Sequence, residues 1–167
     1  AARYARSHNS EEHYAWSSLI LGKPLLGQRV TDILAVVQGL GSRPDLSGRR
    51  LMIAARGIAT VPAQFAASIE AAIGGLYLAE GLISFQSIVE TENYTYPFGN
   101  FVLNLLKHTD LPELAASIAP RRVLLAGAVD GAGKKLSQED VRDIYRSAPN
   151  VDALPEALWE PAAIMRL

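Results

Sequence analysis

An apolar run that breaks on small residues and turns at once into a helical pattern is the strongest constraint in this chain. Leu51-Met52-Ile53-Ala54-Ala55 has the length and polarity of a buried strand. Beyond Arg56-Gly57-Ile58-Ala59-Thr60, the stretch Val61-Pro62-Ala63-Gln64-Phe65-Ala66-Ala67 has helical character. A strand that feeds a helix through so short a turn opens a β-α unit, and such units build parallel sheets. The rest of the chain repeats the alternation. Tyr14, Trp16, Leu19 and Ile20, then Val30, Ile33, Leu34 and Val37, fall at helical spacing. They predict a long helix over 11–40, interrupted at Gly22-Lys23-Pro24 because proline removes a donor and clashes with the preceding turn. Turn residues fill 41–48. The helix over 61–73 is expected to stop at Gly74-Gly75, before a short buried strand, Leu76-Tyr77-Leu78-Ala79. Asp110 reads as the cap of a helix with Pro112 in its first turn. Residues 123–129 predict a third strand, Ser137 caps a helix reaching Ser147, and 151–154 form a weak last strand before a short helix over 159–167. Between them, 84–109 is less regular and carries the aromatic patch Tyr94, Tyr96, Phe98 and Phe101. The expected fold is α/β, a short and mostly parallel sheet flanked by helices. One domain spans 1–167, with 1–13 as a poorly structured lead-in.

Composition excludes whole classes of chemistry. The 167 residues carry no cysteine, so disulfides, thiolate metal sites and a cysteine nucleophile are ruled out. A net charge of −1 gives no basic surplus for nucleic acid. No apolar run approaches the ~20 residues that would cross a bilayer. No histidine pair, and no histidine with carboxylates, has metal-ligand spacing, and nothing calls for a cofactor. The glycines and lysines of 127–135 lack the spacing of a phosphate loop and the helix that should follow at once.

The turn after the first strand stands where a nucleophile elbow, G-x-S-x-G, would stand. Its five positions read Ala55-Arg56-Gly57-Ile58-Ala59. Gly57 occupies the nucleophile position, and a one-residue slip puts Arg56 there. Neither can attack a carbonyl. Arg56 could hold an anion near the following helix N-terminus, or form an internal ion pair. Glu80 and Asp130 each follow a strand, at the sheet edge where such folds keep their sites. Each is a candidate acid, or a strand-end carboxylate serving turn and solvent. His108 is a candidate base, or a helix-end histidine beside a capping aspartate. The aromatic patch could line a sugar or acyl pocket, or pack its loop onto the domain.

Several longer segments carry a family likeness. Residues 21–34, Leu-Gly-Lys-Pro-Leu-Leu-Gly-Gln-Arg-Val-Thr-Asp-Ile-Leu, resemble the helix before the elbow in bacterial α/β-hydrolases of the acetyl xylan esterase and dienelactone hydrolase type. Ser42-Arg43-Pro44-Asp45 fits the turn leading into that family's nucleophile strand. Residues 110–125 are similar to the approach to its seventh strand, which places Asp130 where the family carries its triad acid. The likeness spans roughly residues 14–165, and only the second half of such a hydrolase. It implies a partial α/β-hydrolase-like layering, carboxylic-ester substrates such as acetylated polysaccharide, and a secreted or periplasmic setting. The family's serine and its late histidine are both missing, since the histidines are His8, His13 and His108. The expectation is therefore a degenerate, noncatalytic module. Its partner would be the missing N-terminal half, another domain or another subunit. The alternative is an esterase whose nucleophile and base come from another segment or chain.

Overall fold

Four parallel strands lie side by side in chain order in the computed structural model, which describes residues 10–166. They are β1 (Leu51–Arg56), β2 (Ile73–Ala79), β3 (Arg122–Ala126) and β4 (Val151–Leu154). Seven α-helices accompany them among the described residues. α1 (Ser10–Ile20) and α2 (Leu25–Gly41) precede the sheet, and α3 (Thr60–Ile69) joins β1 to β2. Next come α4 (Phe85–Val89) and α5 (Leu111–Ser117), then α6 (Gln138–Ile144) and α7 (Pro161–Ile164). Parallel neighbours in sequential order need crossovers of one hand, and right-handed crossovers put their helices on one face.

The burial follows that rule. Leu76 and Leu78 of β2 and Val123 and Leu125 of β3 join Val61, Ala66, Leu111 and Val141 in one large core beneath the helices. The alternate residues Tyr77, Ala79, Leu124 and Ala126 form a second, small cluster on the opposite face. Only the C-terminal segment, through Leu154, Ala157 and Ile164, packs against it. Tyr77 is anchored there, its phenol donating to the Leu158 carbonyl at 2.7 Å. On β1 that face is bare, with Met52, Ala54 and Arg56 exposed. β1 also ends the sheet, with β2 on one side and no strand on the other among the described residues.

The predicted α/β architecture, with its parallel sheet and helices, is the one observed. Several boundaries differ. Residues 10–13 belong to α1 rather than to a lead-in, while 1–9, including His8, lie outside the described residues. The helix expected over 61–73 stops at Ile69, and Gly74-Gly75 lie inside β2. Glycine weakens a strand, but a strand paired on both sides overrides that preference. At Gly74 a side chain would also collide with Arg50, whose Cγ lies 2.6 Å from the place of a Cβ. The third strand ends at Ala126 instead of 129, because Gly127 takes φ +60° and turns the chain away. Within 84–109 the backbone is not wholly irregular, since Ser84 caps α4 by accepting from Ser87 N–H.

Two glycines make opposite predictions. A Cβ on Gly131 would lie 2.7 Å from Ile88 Cα and from the Ser87 carbonyl oxygen, both backbone atoms. Gly131→Ala should cost about 1–3 kcal/mol, because α4 must shift to admit the methyl. Gly39, inside α2, has nothing within 4 Å of its missing Cβ. Gly39→Ala should stabilise by about 0.5–1 kcal/mol. Denaturant midpoints of the two variants should move in opposite directions. A Gly131→Ala midpoint equal to wild type would show that the contact yields freely.

Candidate functional site

The C-terminal ends of β1, β2 and β3 bring most of the sequence-predicted residues to one edge of the sheet. At the end of β1 the chain turns through Gly57, with φ +58°, and a short 3-10 turn, Gly57–Ala59, before α3 begins at Thr60. A left-handed φ here suits glycine. Nothing lies within 4 Å of the place where a Gly57 side chain would start. The Thr60 hydroxyl donates to the Gly57 carbonyl at 2.7 Å and fixes the turn. Thr60 is itself buried, against Gly81 of the loop after β2.

Arg56 is paired within the chain. Its guanidinium makes a two-point pair with Glu80, Nε to Oε2 at 2.6 Å and NH2 to Oε1 at 3.0 Å. The parallel register sets this up, since Arg56 lies opposite Ala79, the residue before Glu80. Glu80 has a left-handed φ of +51°, an uncommon conformation for a non-glycine residue. The Arg56 hydrogen bonds hold the Glu80 carboxyl below its ordinary pKa, against a smaller opposing effect of burial. Because the folded value is lowered, the pair's stabilisation is complete above the unfolded value of about 4.3. It fades as pH falls through the lowered folded value. Both side chains are about half exposed, so the effect is small. Thermal midpoints of wild type and Glu80→Gln should differ slightly at pH 7 and converge near pH 3. A gap that stays constant across that range would remove the pair as its cause.

Asp130 ties one carboxylate oxygen to its own loop. Oδ1 accepts the N–H groups of Ala132 at 2.9 Å and Lys134 at 2.8 Å. The loop is zipped to the segment after β2, with Val129 N–H donating to Gly81 and Ile83 N–H donating to Val129. His108 is exposed after the 3-10 turn Leu105–Lys107. Among the described residues no hydrogen bond or ion pair joins it to Asp130 or Glu80. No group of three or more His, Asp or Glu among the described residues could hold a metal ion. The edge therefore presents a positive-φ turn, a half-exposed ion pair and an aspartate bound to its own loop. It presents no nucleophile–base pair of the kind that acyl transfer needs.

Two residues that shape this edge, Asn100 and Tyr145, had no signal in the sequence. Asn100, fully buried, donates from Nδ2 to the Ile58 carbonyl at 2.7 Å and to the Tyr96 phenol at 2.8 Å. Its Oδ1 accepts from Arg29 at 2.8 Å, and Arg29 also pairs with Glu11 at 2.9 Å. Burial pushes the Tyr96 phenol up to about 12. Tyr145 donates to the Ile83 carbonyl at 2.9 Å from full burial, which also drives its pKa upward. Their distant partners reveal them: Ile58 lies 42 and Arg29 71 residues from Asn100, and Ile83 lies 62 from Tyr145. The aromatic patch packs on itself, with Phe101 in ring contact with Tyr94, Tyr96 and Phe98.

A parallel sheet in chain order, crossover helices over one face and a tight strand-to-helix turn at the end of β1 define a layered α/β protein. Among solved structures the chain is similar to one from Bacteroides fragilis NCTC 9343 named "putative acetyl xylan esterase", with a TM-score of 0.68 and 18% identity. The likeness covers 98% of this chain and 49% of that one, so the chain spans about half of that structure's length. At this identity it shows the fold alone. No family model matches the chain, and no curated protein matches it.

Proposed function

We propose that this chain is a noncatalytic, hydrolase-like module of a larger carboxylic-ester hydrolase, with a scaffolding or carbohydrate-binding role. The observation that carries the reading is Gly57, a residue without a side chain at the strand-to-helix turn, with open space before it. Arg56 and Asp130 support it, because each is engaged within the chain rather than aimed at a substrate. The partner follows from β1. A parallel strand with a bare edge and an exposed Met52-Ala54 face is the kind of surface that another segment covers. That partner is the complementary half of the fold, in the same protein or in another subunit. Carbohydrate contact would use Trp16, which is half exposed and stacked on Phe98 at 4.3 Å between ring centres.

Hydrolysis of a chromogenic acetyl ester by the purified chain tests the reading. The rate should equal that of a heat-denatured control. Turnover well above the control would overturn it. In an assembly with its partner, Asp130→Asn separates the module from an esterase completed by that partner. Unchanged assembly activity fits a scaffold, while activity lost with the assembly intact would make Asp130 a working acid.

A further inference from the structure

Next to that edge, where Ile88 abuts Gly131, α4 and the 101–107 segment flank an open cleft of about 400 Å³. Its walls include Phe85, Ile88, Phe101 and Leu105, and among the described residues its only polar side chains are Asn104 and Lys107. The volume falls within the range of small-molecule sites. It also matches roughly one turn of an α-helix in bulk, too little room to seat a partner helix along its length. The rim is apolar too, with Val89 69% and Leu103 75% exposed. Asn104 holds a left-handed φ of +61° where the segment bends around the cleft. Lys107 makes no ion pair with any described residue.

We infer that this cleft binds a small amphipathic carboxylate, an aliphatic or aryl acid whose apolar part enters between α4 and Leu105 while its carboxylate meets Lys107. An apolar cleft with a single cation and no acid among its lining residues selects that charge. A neutral apolar ligand would forgo the cation, and an amine would be repelled by it. None of this requires ester hydrolysis by the chain.

Calorimetric titration of the full chain with octanoate, and separately with octylamine, tests the inference. Octanoate should bind with a Kd on the order of 1 mM or tighter, and octylamine at least about tenfold more weakly. Lys107→Met should weaken octanoate about five- to tenfold, while Lys107→Arg should stay within about threefold of wild type. Amide chemical shifts should move in 85–89 and 101–107 as octanoate is added, which checks the location without a variant. The inference is overturned if octanoate gives neither heat nor shifts, if octylamine binds equally well, or if Lys107→Met binds octanoate like wild type. Shifts confined to other segments would also overturn it.

Discussion

Replacing Asp110 by alanine should cost about 2–4 kcal/mol of stability, because this one carboxylate closes two helix N-termini. Within its own helix it is the cap of α5, accepting Leu111 N–H at 2.7 Å. Glu113 reciprocates by accepting Asp110 N–H at 3.0 Å, which completes a capping box. Across the chain it also accepts Phe85 N–H at 2.7 Å and Gln86 N–H at 2.9 Å, the first amides of α4. A single cap is worth about 0.5–2 kcal/mol. That cap, plus two bonds to the α4 amides at about 1 kcal/mol each, sets the estimate, Ser84 remaining the cap of α4. For a chain of this length the loss should lower the thermal midpoint by roughly 4–16 °C. Asp110→Asn keeps one acceptor oxygen and should fall between wild type and alanine. If Asp110→Ala loses only what one cap is worth, the bonds to α4 contribute nothing. Hydrogen exchange would localise the effect, with amides 85 and 86 losing protection along with 111.

The second large effect is expected at Asn100. Arginine only donates, so the amide oxygen must face Arg29, and the amide nitrogen is then left to serve Ile58 and Tyr96. Asn100→Leu removes all three bonds in a fully buried setting. Each stranded group costs about 1–3 kcal/mol, and Arg29 retains Glu11, so a total of about 3 kcal/mol is expected. Asn100→Asp is the more informative variant. It satisfies Arg29 with a carboxylate but cannot donate to the Ile58 carbonyl. Urea unfolding should therefore rank wild type above both variants. Asn100→Asp at wild-type stability would mean that the bond to the turn after β1 is dispensable. That bond is the chain's main polar tie between the 98–101 segment and the turn that carries Gly57.

Both effects mark where local sequence stops being informative. The alternation of apolar strands with helical stretches was legible because burial imposes a short period on each element. Caps at Asp110 and Ser137, and the break at Gly22-Lys23-Pro24, were legible because capping and proline sterics act within a few residues. That residues 55–59, at the turn after β1, hold a glycine and no serine is likewise a matter of sequence alone. Gly74-Gly75 were misread as a helix stop, because a preference worth under about 1 kcal/mol yields to pairing on both sides of β2. Arg56 finds Glu80 24 residues away only because parallel register aligns two strand ends. Asp110 reaches α4, and Asn100 reaches Ile58, through contacts that no local pattern encodes. The sequence by itself determined which segments are strands and helices and which chemistry the chain lacks. Tertiary structure decided which charges are spent on one another, which face of β1 stays bare and where a cleft opens, because crossover direction and packing bring together residues that are far apart in the chain.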